Sequence, residues 1–160
     1  MKTKHIITTL IVTLGLSAAP ALYSAETEKD HDHEHAHGAK AEMPNGGRLV
    51  DALEPHFELL VTAERKLQVT FLGEDGKAIA PAAQEITATG GSRSKPTKFV
   101  FKKSGSTLVS DEALPEGMVI PLVMRVKPAA DAKSVTVRVS LNLADCPSCE
   151  HKEYACVCEH

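Results

Sequence analysis

The stretch Val135–Leu143 limits the fold more than any other part of the chain. Val135, Val137, Val139, Leu141 and Leu143 alternate there with Thr136, Arg138, Ser140 and Asn142. Successive side chains of a strand point to opposite faces, so this period of two gives a strand with one apolar and one polar face. A surface helix would instead need apolar residues at three- and four-residue spacing, and no segment of the chain shows that period convincingly. The same alternation recurs at Phe57, Leu59 and Val61, at Leu67, Val69 and Phe71, at Phe99 and Phe101, and at Leu122, Met124 and Val126. Glu85 to Thr89 is a weaker strand and Thr107 to Ser110 a short return. On this pattern Glu58 falls on the polar side of its strand, with His56.

Turn residues separate these runs. Pro44-Asn45-Gly46-Gly47 is strong turn chemistry, Ala63-Glu64-Arg65 offers a tight reversal, and Asp75-Gly76 is a hairpin signal that tolerates positive φ. Gly90 to Pro96 reads as a loop, and Pro121 as a strand start or edge. The expectation is all-β: a single antiparallel β-sandwich of about seven short strands over residues 44–143. Tryptophan is absent and aromatics make up only 4 % of the chain, so the core must be aliphatic.

Two appendages and a leader flank this domain. Residues 1–25 have the three parts of a secretory signal: Lys2 and Lys4, the apolar run Ile6 to Leu16, and small-residue cleavage sites after Ala21 or Ala25. The expected location is periplasmic or secreted, with no membrane span once the leader is removed. Residues 26–43 contain Asp30-His31-Asp32-His33-Glu34-His35-Ala36-His37 and almost nothing apolar, which predicts a disordered arm. Imidazole suits Zn, Cu and Ni, and interleaved carboxylates raise the local cation concentration, so His31, His33, His35 and His37 are candidate metal ligands. Near or below about pH 6 they would protonate and release the ion.

All four cysteines fall in residues 144–160, where Cys146-Pro-Ser-Cys149 and Cys156-Val-Cys158 are separated by six residues. A C-x2-C turn lets two sulfurs meet one ion, and four thiolates make a closed tetrahedral Zn site or a softer Cu(I) site with fewer ligands. Such a site is worth on the order of 10 kcal/mol in small peptides, enough to order a short tail. His151 and His160 are further candidate ligands. Two other chemistries remain open. In an oxidising compartment the cysteines would pair, as Cys146 with Cys158 and Cys149 with Cys156, each closure adding about 2–3 kcal/mol. That chain would be a disulfide-stapled interaction module without metal. Cys146 and Cys149 would alternatively form a redox couple, although the strand-to-helix setting that lowers a thiol pKa is missing from the sequence.

Other functions are disfavoured. A net charge of −3 argues against a nucleic-acid surface built on bulk positive charge. No nucleophile elbow, phosphate loop or His-Glu-x-x-His helix is present, so no enzyme is expected. His56 reads as an exposed histidine, and Arg93, Lys95, Lys98, Lys102 and Lys103 as a solvated face. Met43, Met118 and Met124 are too scattered for a copper site.

Pro44-Asn45-Gly46-Gly47-Arg48-Leu49, His56-Phe57-Glu58 and the strand ending in Glu74-Asp75-Gly76-Lys77 resemble a β-rich segment of periplasmic adaptor (membrane fusion) proteins of heavy-metal efflux systems. The resemblance covers residues 30 to 127. The chain lacks the long coiled-coil hairpin and lipoyl-like parts of a true adaptor, and as a whole it looks like small exported heavy-metal-binding proteins. What the resemblance implies is a periplasmic setting, heavy-metal handling and a partner within an efflux system. Together these readings predict an exported, non-enzymatic metal-binding protein that captures or buffers Zn or Cu ions through the arm and the tail.

Overall fold

The computed structural model describes residues 43–158. The leader, the histidine run with His31, His33, His35 and His37, and His160 lie outside the described residues.

Nine strands follow in chain order: β1 (Arg48–Val50), β2 (Phe57–Val61), β3 (Lys66–Leu72), β4 (Ala78–Ile79), β5 (Glu85–Ser92), β6 (Lys95–Ser104), β7 (Thr107–Ala113), β8 (Val119–Lys127) and β9 (Val135–Asn142). All pairings are antiparallel, in the order β1-β2-β3-β7-β6-β5-β8-β9, with β4 beside β3. The expected all-β antiparallel class is present. The two strands beyond the expected seven or so include β4, only two residues long, too short to show an alternation.

β6 joins the two halves. Its residues Lys95 to Val100 pair with β5, and Phe101 to Ser104 pair with β7. A strand that changes partners in this way turns the corner between two layers, so that both inner faces fill one core. Phe57, Leu59, Leu67, Val69 and Phe71 from one layer meet Phe99, Leu122, Met124, Val126 and Leu141 from the other in a single buried cluster. The core is aliphatic apart from three phenylalanines and Tyr154, and Phe57 and Phe71 meet edge to face at 6.1 Å.

Turn signals carry the hairpins. Arg65 adopts φ 60° in the reversal between β2 and β3, and Gly76 adopts φ 73° between β3 and β4. Two expectations need correction. Gly90 to Pro96 is no loop: β5 runs to Ser92 and β6 starts at Lys95, leaving Arg93-Ser94 as the turn. The glycines serve close packing there, since a Cβ on Gly90 would lie 3.1 Å from a Leu122 methyl and 3.3 Å from the Phe99 ring. Glu58 is the second. It does lie opposite the core face, yet it is 0 % exposed, because other parts of the chain cover it. Pro121 is the third residue of β8, but pairing with β5 begins only at Leu122, so on that side it is an edge residue. No helix among the described residues is long and apolar enough to cross a membrane.

Candidate metal centre

The covering of Glu58 explains where the cysteines sit. Its carboxylate accepts hydrogen bonds from the Asn45 amide at 2.9 Å, from Asn45 Nδ2 at 2.7 Å and from the Gly47 amide at 2.6 Å. Asn45 Nδ2 also donates to the Thr70 hydroxyl at 3.1 Å. A buried carboxylate needs several donors to offset its lost hydration, and the Pro-Asn-Gly-Gly turn supplies them. Gly47 can only be glycine, because a Cβ would stand 2.6 Å from the Leu59 carbonyl oxygen.

The chain after β9 folds onto this turn. The Tyr154 hydroxyl accepts a hydrogen bond from the Val61 amide at 2.8 Å, and the ring is buried in the core cluster with Ala155. Burial in the first place, and the nearby Glu58 charge, push the Tyr154 pKa up against the lowering effect of the Val61 amide. His151 lies over the turn, its Cε1 3.3 Å from where a Gly46 side chain would begin.

Residues 145 to 152 form a miniature hairpin. Asp145 and Lys152 make an isolated antiparallel bridge, and the Cys146 amide donates to the His151 carbonyl at 3.0 Å. Cys146 and Cys149 lie within it. A single 3-10 turn, Glu153–Ala155, then brings Cys156 back to Cys146. The Cys146 and Cys156 sulfurs are 3.3 Å apart, Cys149 and Cys156 3.7 Å, and all four sulfurs lie within 4.8 Å of one another. No disulfide joins them. Zn–S bonds of about 2.3 Å in a tetrahedron place sulfurs about 3.8 Å apart, so the observed spacings bracket what a four-thiolate site requires.

Backbone amides face two of the sulfurs. Ser148 N–H donates to Cys146 Sγ at 3.4 Å and Cys158 N–H to Cys156 Sγ at 3.2 Å. The Ser148 amide, with hydrogen bonds from the Cys156 and Cys149 thiols, outweighs burial and holds the Cys146 thiol down at about 6. The Cys158 amide pulls Cys156 down, but its thiol contact with Cys146 and burial leave it raised. Cys158 is pushed up to about 12 by Cys156 and Cys149. Thiols this close share protons: the first ionises easily and each further thiolate meets the charge already there. A divalent cation removes that repulsion.

The structure therefore brings together Cys146, Cys149, Cys156 and Cys158, which could hold a metal ion, and leaves His151 outside the group. Cys146 and Cys156, with sulfurs 3.3 Å apart, are not a pair that the disulfide alternative expects. His56 is engaged elsewhere, with Nδ1 2.9 Å from the Leu53 carbonyl and Nε2 3.1 Å from Glu54. Met124 belongs to the core, and the five basic residues at 93 to 103 are exposed. Sequence reasoning missed Tyr154 and the buried role of Glu58 and Asn45, and spacing alone gave no signal for either.

Comparison with protein-family models, with curated proteins and with solved structures finds no match.

Proposed function

We propose that this is an exported metal-binding protein whose four cysteines hold one thiophilic ion, Zn(II) or Cu(I), while His31, His33, His35 and His37 capture ions more loosely. The observation that carries this reading is the meeting of four sulfurs within 4.8 Å on a folded support, with amides turned to two of them. Convergence of four soft donors from a thirteen-residue segment has little use in packing, since small apolar side chains would fill that space without mutual repulsion. The leader-like residues 1–25 support export, and the resemblance to efflux adaptors supports a partner in heavy-metal handling. No catalytic function is part of the proposal.

A thiol redox role is the second reading, and the low Cys146 pKa favours it. Against it, Cys146 is only 5 % exposed, which hinders attack on a partner disulfide.

Metal analysis of protein purified from its native compartment, with a thiol count, tests the proposal. One Zn or Cu per chain with four protected thiols is expected. Four oxidised cysteines and no metal would overturn the cysteine site, and a reversible Cys146–Cys149 couple would favour the redox reading.

A further inference from the structure

The four sulfurs are not equally reachable. Cys146 is buried, whereas Cys149, Cys156 and Cys158 are half-buried. An open groove of about 470 Å³ lies between the edge strand β1 and the returning tail. Of the four cysteines it is Cys156 that lines this groove, beside Leu49, Tyr154 and Val157. Clefts that take small molecules run from about 300 to 1,000 Å³, so a compact organic molecule fits here and meets Cys156 first.

Cys156 in turn has a buried sulfur at hand. Cys146 Sγ lies 3.3 Å from Cys156 Sγ, and Cys149 Sγ lies 3.7 Å from it. A disulfide of about 2.0 Å needs only about 1.3 Å of further approach from 3.3 Å. The small hairpin holds Cys146 in that place: its amide donates to the His151 carbonyl at 3.0 Å, and the Ser148 amide donates to its sulfur at 3.4 Å. Pairing within Cys156-Val-Cys158 would close a strained ring instead. One sulfur of the 146–156 pair thus faces the groove, and the other is shielded from solvent but adjacent. That is the arrangement of an attacking and a resolving thiol.

We propose that the ion is released by oxidation: a small-molecule disulfide entering the groove converts Cys146 and Cys156 into a disulfide and leaves the ion with two sulfurs. The inference rests on the four-cysteine reading above and adds to it a control of release. Ligation to the ion keeps the sulfurs as thiolates, the form that attacks a disulfide. Cys156 Sγ attacks one sulfur of the incoming disulfide, so that a mixed disulfide forms and the first thiolate leaves. Cys146 Sγ then attacks Cys156 Sγ, the 146–156 bond forms, and the second thiolate leaves. Two electrons pass from the two cysteines to the disulfide, and each departing thiolate takes a proton from water. Cys149 and Cys158 alone then hold the ion, and a competing chelator removes it. Reduction of the 146–156 bond restores the four-sulfur site.

The test uses the full chain, reduced and loaded with Zn(II), with oxidised glutathione as the probe. A coloured zinc chelator too weak to strip the reduced chain reads the release. One Zn per chain should appear in step with the loss of two thiols, and peptide mapping should find Cys146 joined to Cys156. Dithiothreitol with added Zn should reverse both. Leu49→Trp, which fills the groove away from the sulfurs, should slow release roughly tenfold without changing the amount of Zn bound. Zn retained with all four thiols intact would overturn the release and leave the cysteine site standing. A bond between other sulfurs, or glutathione adducts without an internal bond, would overturn the pairing, and an unchanged rate in Leu49→Trp would overturn entry by the groove. A reduced chain that binds no Zn would overturn the cysteine site, and the release with it.

Discussion

β8 and β2 are both strands of this protein with alternating sequences, yet they are buried differently. Along β8, Ile120, Leu122, Met124 and Val126 are buried while Val119, Pro121, Val123 and Arg125 are exposed. Along β2, Phe57, Glu58 and Leu59 are buried in succession, and in β3 the run Val69 to Leu72 is buried without interruption. β8 shows the expected one-sided strand of a sandwich wetted on its outside. β2 is covered on its outer side by the Asn45–Gly47 turn and near its end by Tyr154, and that second cover is what carries the cysteines. A polar residue on the covered side becomes an anchor, and the tail becomes part of the fold instead of an appendage.

Substitutions at matching positions of the two strands should therefore differ most. Glu58→Ala leaves three donors without their acceptor and should cost about 3 kcal/mol in denaturant unfolding. Arg125→Ala, at an outward position of β8, should stay within about 0.5 kcal/mol. Equal effects would remove the distinction between the two layers. Gly47→Ala should cost about 2 kcal/mol, because the new methyl meets the Leu59 carbonyl.

Tyr154→Phe should cost about 1 kcal/mol by leaving the Val61 amide without its partner, and it should weaken ion binding by loosening the tail. The same tyrosine gives a pH dependence. Its pKa is raised in the folded state above the unfolded value of about 10, so its contribution is complete below that pH. It is lost as pH rises through the folded value. Tyrosinate absorbance should show a late transition that disappears in Tyr154→Phe.

Metal binding should carry the opposite pH signature. Cys156 and Cys158, both raised, keep their protons at neutral pH, so an ion must displace them. Affinity should fall as pH drops, and more steeply below about 6, where Cys146 also protonates. Calorimetry in buffers of different ionisation enthalpy counts the released protons, and a count of zero would exclude thiolate ligation. An ion at a hundred times its Kd should add about 2.7 kcal/mol to stability, lost again on chelation.

Much of this was legible in the sequence for a physical reason. Alternation in Leu122, Met124 and Val126, and in Val135 to Leu141, is set by one core and one solvent face, so it marks strand type directly. The spacing of Cys146, Cys149, Cys156 and Cys158 likewise announced a soft-donor cluster, because close sulfurs in a short segment have few other uses. Burial of Glu58 was not legible, since its cover comes from Asn45 and Gly47 thirteen and eleven residues away and from a tail beyond all the strands. His151 stands close to Cys149 in sequence but its ring lies over Gly46, a direction fixed by the Asp145–Lys152 bridge and not by spacing. Gly90 and Gly91 looked like loop residues because their use, close approach to Leu122 and Phe99 and φ 94°, depends on neighbours distant in the chain.

The central claim is that Cys146, Cys149, Cys156 and Cys158 surround one ion. X-ray absorption of the Zn-loaded chain measures it most directly. Four sulfur scatterers at about 2.3 Å with no nitrogen or oxygen shell are expected. A shell dominated by nitrogen or oxygen at about 2.0–2.1 Å would contradict the account.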